Sequence, residues 1–361
     1  MHEDASRGGL FMSRLLLAPM EGLADCVLRD VLTKSGGLDS CVSEFVRVTG
    51  SVLPQSVYER DTPEVLHGGY TPCGTPMVIQ LLGSDPEWMA VNAMYAAKLS
   101  PHGIDLNFGC PAKVVNRHGG GAMLLAHPDK LFSIVSAVRT AVPTHIPVTA
   151  KMRLGVSDTS LALDCARALQ EGGAASLVVH ARTKADGYKP PAHWEWIAQI
   201  DAAVDVPVVA NGDVWTVEDW ERCRAVSGCD DVMIGRGAVS DPFLALRIRG
   251  LMEREAHAEE WPAVLAQLAD YLKKLKIRVA VRHEHGRVKM WLSYLKRTWT
   301  QAAELHDAIR RLHDSHEILE VIERAQAASN PASGPRFAVA GLLDPATSSP
   351  QNPLVFPSTV Q

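Results

Sequence analysis

The residues in this chain best suited to chemistry sit at the ends of short apolar runs. Cys110 follows the run Gly103–Phe108 in Gly109-Cys110-Pro111, and Gly119-Gly120-Gly121 comes soon after. An alternating apolar run ending in Gly-Cys-Pro reads as a buried strand that carries a thiol to its C-terminal mouth, because Pro111 stops the ladder and Gly109 permits close approach. A lone cysteine is more often a small apolar filler, so its company decides. Lys151, inside a second apolar run, is costly unless solvated or paired. It fits a strand-end salt bridge, a Schiff-base nucleophile or a cation facing an anionic cofactor ring. Arg153, two residues on, reads as a surface ion pair or a further site contact.

Similar strand-end groups recur along the chain: Pro19-Met20-Glu21, Gln80, Asn107, His180 with Arg182 and Thr183, Asn211-Gly212-Asp213, and Gly235-Arg236-Gly237. The last two triplets suit a phosphate, which glycine-rich loops bind through backbone N–H groups and to which an arginine adds charge. A thiol, a lysine, an amide and a phosphate cradle together favour a flavin mononucleotide (FMN) site over an aldolase. Cys110 then supplies a proton where the flavin supplies a hydride.

Such groups converge only if the runs that carry them are neighbouring strands. Eight short apolar runs qualify: 15–20, 41–45, 77–82, 103–108, 147–152, 176–180, 206–210 and 231–234. Helical stretches separate most of them, and this rhythm over about 225 residues predicts an α/β fold, a (β/α)8 TIM barrel with its site at the C-terminal strand ends. An open doubly wound sheet is the alternative, but Gly-x-Gly-x-x-Gly after the first strand is missing. After Asp241-Pro242 the composition turns to helix formers. The expected organisation is a leader over 1–13, a catalytic barrel over 14–242, a helical domain over 243–328 and a Pro/Ser/Ala/Gly-rich tail over 329–361.

With 361 residues and 47% hydrophobic content, the chain has the composition of a globular protein with a sizeable core. No apolar run reaches membrane-span length and no signal core appears, so the expected setting is cytoplasmic, without a membrane. Seven cysteines without a Cys-x-x-Cys pair argue against a disulfide framework and against a metal site. Net charge is −5, yet residues 273–297 hold nine Lys/Arg against Glu284 alone, a local +8 that leaves −13 for the remainder. That window is where a polyanion would bind.

These motifs closely resemble the tRNA-dihydrouridine synthases, from about Leu15 to about Ala325. The resemblance rests on Leu-Ala-Pro-Met-Glu-Gly (17–22), Asp-Leu-Asn-Phe-Gly-Cys-Pro (105–111), Val-Thr-Ala-Lys-Met-Arg-Leu-Gly (148–155), Val-Ala-Asn-Gly-Asp (209–213) and Met-Ile-Gly-Arg-Gly (233–237). Glu-Phe-Val-Arg-Val (44–48) and Val-Lys-Met-Trp-Leu-Ser-Tyr-Leu (288–295) are similar to the bacterial C-type branch, which acts on uridine 16 of the D-loop. The resemblance implies an oxidoreductase that uses FMN, with NADPH as reductant and tRNA as substrate, acting as a monomer. Pro19, Met20, Glu21, Gln80, Lys151, His180, Asn211, Gly212, Asp213, Gly235 and Arg236 would hold the flavin, and Cys110 would be the general acid. Asn107 would read the uracil edge. Arg47, Lys273, Lys274, Lys276, Arg278, Arg282, Arg287, Lys289, Lys296 and Arg297 would contact tRNA.

Two departures from the family pattern stand out: Phe108 where a cysteine is common, and Ala181 where glycine is, with a methyl that could crowd the flavin phosphate. Three other readings account for part of these motifs. A flavin reductase of a free pyrimidine has no use for the basic helical domain. An RNA-binding protein that keeps flavin for stability has no use for Cys110, and an aldolase using Lys151 would lack flavin.

Overall fold

The computed structural model describes residues 13–116 and 119–329, with only the backbone of Lys113 and Val114. Nearly all of the expected leader and tail lies outside the described residues. Nine parallel strand segments follow one another: β1 (Leu15–Leu17), β2 (Ser40–Val42), β3 (Val46–Arg47), β4 (Met77–Leu82), β5 (Ile104–Phe108), β6 (Val148–Arg153), β7 (Leu177–His180), β8 (Val208–Asn211) and β9 (Val232–Ile234). They pair in the order β2-β1-β9-β8-β7-β6-β5-β4-β3, and β2 also pairs with β4. That last pairing closes the sheet into a barrel, as the run spacing predicts.

The second barrel strand departs from expectation. Instead of running unbroken to Phe45, it splits into β2 and β3, both paired with β4. Val42 is opposite Val78 while Val46 is opposite Leu81, so four steps on one side match three on the other. This is a one-residue bulge, and it turns Glu44 and Phe45 toward the barrel mouth. Nothing in the local composition marks it.

Period-two alternation sorts the strand residues into two sets. Outward positions such as Ile79, Leu106, Met152 and Val179 join the main core with the surrounding helices. Inward positions Val42, Val178, Val209 and Met233 form a separate small cluster that plugs the barrel. One layer above this plug, the inward positions are polar: Gln80, Asn107, Lys151, His180 and Asn211. Alternation therefore brings the strand-end groups together at one end.

After β9 the described residues hold helices but no further strand. Trp261–Arg278, Val281–Leu295, Gln301–Ile309 and Ser315–Ser329 pack into the same continuous core as the barrel helices. The Trp291 indole N–H donates to the Val239 carbonyl at 3.0 Å, tying this domain to the loop after β9. On the other flank, Arg287 pairs with Asp25 at 3.0 Å and Lys274 with Asp30 at 2.7 Å.

Among the described residues two ion pairs are buried, Arg247 with Asp241 and, more fully, Arg29 with Glu64. Arg29, on the helix Cys26–Lys34, meets Glu64 through two bonds, Nε to Oε1 at 2.9 Å and Nη2 to Oε2 at 3.0 Å. A third bond, from Nη1 to the Ala24 carbonyl at 3.0 Å, completes it. Removing one partner leaves a buried charge uncompensated, whereas replacing both with apolar groups does not. Glu64→Ala should cost about 3–5 kcal/mol in urea unfolding, and Arg29→Met with Glu64→Leu should recover most of it. A double variant as unstable as the single one would contradict this.

Candidate active site

A cavity of about 900 Å³, counted to its open mouth, occupies the C-terminal end of the barrel. That volume suits a cofactor-sized ligand. Its wall includes Cys110, Asn107 and every residue expected to hold the flavin: Pro19, Met20, Glu21, Gln80, Lys151, His180, Asn211, Gly212, Asp213, Gly235 and Arg236. Glu44, Phe45, Arg153, Tyr188 and Trp215 also line it.

Buried polar groups need partners, and here they find them in series. Thr149 Oγ1 donates to Asp105 Oδ1 at 2.6 Å, and Gln80 Nε2 donates to Asp105 Oδ2 at 2.7 Å. Asn107 Nδ2 donates to Gln80 Oε1 at 2.7 Å. The Asn107 oxygen then accepts the N–H groups of Gly109 at 3.0 Å and Cys110 at 2.9 Å. A carboxylate that only accepts thus fixes both amides, and Asn107 aims the turn that carries the thiol. One N–H of Asn107 is left for a ligand.

Arg153 secures the turn from the other side. It is buried and forms no ion pair among the described residues, so of its two readings the surface pair is not formed and the side chain lines the cavity. Instead its Nε donates to the Gly109 carbonyl at 2.8 Å, and Nη1 donates to the carbonyls of Thr183 and Gly187 at 3.1 and 2.9 Å. Gly121 closes the arrangement. At φ +59° it lies where a Cβ would come within 2.8 Å of the Cys110 carbonyl, so no side chain fits. Cys110 itself is only 8% exposed. Burial raises its pKa, and the Glu21 carboxylate adds to this against Arg153 and Arg47, so it rests as a thiol.

Charge across the cavity is uneven. On the side of β6, β7 and β9 stand Lys151, Arg153, His180 and Arg236. Lys151 Nζ donates to Asn211 Oδ1 at 2.9 Å, and among the described residues no carboxylate forms an ion pair with it. Burial, followed by Arg153, pushes its pKa down to about 7. Burial and the surrounding cations hold His180 well below its ordinary value, so the ring is neutral, and its Nδ1 has no partner. The fixed carboxylate there is Asp213, in a left-handed conformation (φ 53°) and clamped by Arg182 and Arg236.

The opposite lip is acidic. Glu44 accepts the Gly22 N–H at 2.5 Å, and burial followed by repulsion from Glu21 pushes its pKa up to about 7. Glu21 is raised as well, chiefly by burial. A ligand whose anionic end meets the basic wall and whose neutral face meets Cys110 fits this distribution.

Aromatic rings flank the basic wall. The Arg236 guanidinium lies between Tyr188 and Trp215, 4.7 and 4.9 Å from their centroids, and Arg297 of the helical domain covers Trp215 at 4.0 Å. Sequence reasoning missed Tyr188, Trp215 and Glu44. Only the first two carry a signal, as aromatic residues in the loops after β7 and β8. The Ala181 methyl lies close to Gly212, which has no side chain to clash with it, and Phe108 is wholly buried in the core.

The cations expected to hold RNA divide by environment. Lys273 pairs with Glu323, Lys274 with Asp30 and Asp270, and Arg287 with Asp25, while Lys289 donates to the Leu312 carbonyl. Lys276, Arg278, Arg282, Lys296 and Arg297 have no ion pair among the described residues. Arg47 lies at the end of β3, near enough to Cys110 to influence the thiol. No described helix is long and apolar enough to cross a membrane.

Comparison with known proteins adds a family to this geometry. The family model described as "Dihydrouridine synthase (Dus)" matches residues 16–330. A Cupriavidus necator protein named tRNA-dihydrouridine(16) synthase is 78% identical over 312 residues, covering 86% of this chain and 97% of that protein. Proteins of the same name from Ralstonia nicotianae and Aquipseudomonas alcaligenes are 76% and 51% identical, covering 90% and 86% of this chain and 99% and 98% of their own lengths. A solved complex of 2-naphthoyl-CoA reductase with 2-naphthoyl-CoA is similar in fold alone, at 12% identity and a TM-score of 0.50, over 66% of this chain and 50% of that one.

The lowered Lys151 pKa has a consequence for stability. The unfolded chain keeps this proton toward pH 10.5, whereas the folded protein releases it near 7. Between these values the folded state binds fewer protons, so stability from this group rises with pH. Lys151→Met should flatten that rise when urea midpoints are compared between about pH 7 and 8.5, where Glu44 and the thiols titrate in both proteins and the difference between them reports Lys151. An equal rise in variant and wild type would contradict the buried amine.

Proposed function

Because the chain belongs to the dihydrouridine synthase family, we propose that it reduces uridine to 5,6-dihydrouridine at position 16 in the D-loop of tRNA, using FMN and NADPH, in the cytoplasm. The observation that carries this reading is the pairing, in one cavity, of a buried thiol with a basic wall in which Lys151 has no ion-pair partner among the described residues and the one carboxylate, Asp213, is shared by two arginines. FMN, when bound, supplies a hydride to C6 of the uracil ring. Lys151 and Arg236 would hold its anionic parts, His180 Nδ1 would meet a polar atom of it, and Gly212 and Gly235 leave room beside the backbone. An anion beside Lys151 raises the pKa of the amine and restores its charge.

Cys110 delivers the proton. Its S–H bond breaks as a C–H bond forms at C5, and the thiolate left behind takes a proton from solvent before the next turnover. An acid must start protonated, and the raised thiol pKa provides that. Asn107, oriented from Asp105 through Gln80, holds the Cys110 backbone and offers its free N–H to the uracil edge. Tyr188 adds a ring to the wall of the pocket.

The uridine must leave its stack to enter a barrel mouth. Lys276, Arg278, Arg282, Lys296, Arg297 and Arg47 are placed to hold the surrounding phosphates, so binding should weaken steeply with salt. The paired members of the basic window contribute less directly, since each already balances a carboxylate or bonds a carbonyl.

Cys110→Ala tests the assignment. Dihydrouridine formation should fall by about 10²- to 10⁴-fold, while flavin content, flavin reduction by NADPH and tRNA affinity stay near wild type. Unchanged turnover would remove Cys110 as the acid. Loss of flavin or of tRNA binding would make it structural.

A further inference from the structure

We propose that a second cavity, between the helices Cys26–Lys34 and Trp261–Arg278, receives one unstacked tRNA nucleotide other than the target uridine; this rests on the tRNA reading above. The two helices run antiparallel. Lys34 meets Asp270 at 3.3 Å and Asp30 meets Lys274 at 2.7 Å, which brings Arg278 beside Cys26. The cavity, about 680 Å³ counted to its open mouth, therefore opens near the same face as the active site. Only a few residues separate Met20 and Glu21, in the wall of the first cavity, from Cys26 and Val27, in the wall of the second. Arg287 bridges them through Asp25 and the Gly22 carbonyl.

The lining suits a nucleobase. Val27, Pro63, Pro72, Tyr70 and Ile277 supply apolar and ring surface. The carboxylates at its base are already balanced, Asp30 by Lys274 and Glu64 by Arg29. Free positive charge stands in its wall at Arg278, which has no ion pair among the described residues, with Lys276 and Arg282, likewise without one, close by in the chain. Ile277 is 85% and Val281 75% exposed, so an apolar pair flanks Arg278 at the corner between two helices.

A single exposed aliphatic residue means little. Two of them, set among unpaired arginines in the cationic stretch of an otherwise acidic chain, call for a partner with a flat apolar body and a phosphate attached. That is a nucleotide. The corner lies beside the proposed D-loop docking face, so the nucleotide would come from the same tRNA. Such sites use stacking for the base and cations for the backbone.

Equilibrium binding of an unmodified tRNA transcript to the flavin-loaded protein, measured across a range of salt, separates these contributions. Ile277→Ala and Tyr70→Ala should each weaken binding by about tenfold with the salt slope unchanged. Arg278→Gln should weaken it and lower the slope by about one. Equal flavin content in every variant would show that the fold is kept. Chemical probing of the bound tRNA should show one protected nucleotide besides the target, re-exposed with Ile277→Ala. Wild-type affinity in both apolar variants, or no second protected nucleotide, would overturn the pocket and leave the tRNA reading intact. Failure of the wild-type protein to bind tRNA would overturn both.

Discussion

Asp105 is a carboxylate sealed inside the barrel, and the position of the thiol follows from how its oxygens are satisfied. Burial raises its pKa against the bonds from Gln80 and Thr149 and the charge of Lys151. Because the carboxylate accepts, Gln80 must present its NH2 to it and its oxygen to Asn107. Asn107 in turn must present its oxygen to the N–H groups of Gly109 and Cys110. A buried polar chain of this kind is stable only when every member is paired, and so it has one arrangement. The thiol is aimed by a relay that leaves β5 at Asp105, crosses to Gln80 on β4 and returns to β5 at Asn107.

The same logic explains the division of charge. The basic wall is assembled from inward or strand-end positions of β6, β7 and β9, where little acid is available except Asp213, itself shared by two arginines. Lys151 therefore holds its proton weakly until an anion arrives. Burial keeps the neighbouring thiol protonated, and Glu21 on the acidic lip adds to this. One cavity thus offers a site for an anion and a site for proton donation, which is what reduction of a carbon–carbon double bond requires.

Much of this was legible in the sequence because the barrel strands are short, apolar and period-two, so that each chemical group sits at a recognisable strand end. The cavity wall takes in every strand-end residue expected to hold the flavin, though not Arg182 or Thr183. What was not legible arises from tertiary geometry. The bulge that brings in Glu44 depends on a register shift against β4, and Arg153 looks like a surface cation until its carbonyl partners are seen. Likewise, charge counting in 273–297 could not show that Lys273, Lys274 and Arg287 face carboxylates from elsewhere in the chain.

The claim that this cavity couples flavin to a tRNA uridine is tested most directly by a single turnover without NADPH. Protein whose flavin has been reduced beforehand is mixed anaerobically with excess unmodified tRNA, and flavin oxidation and dihydrouridine at position 16 are both quantified. The account predicts one dihydrouridine formed for each flavin oxidised, all at that position. Flavin oxidation without dihydrouridine, or dihydrouridine at another position, would contradict it.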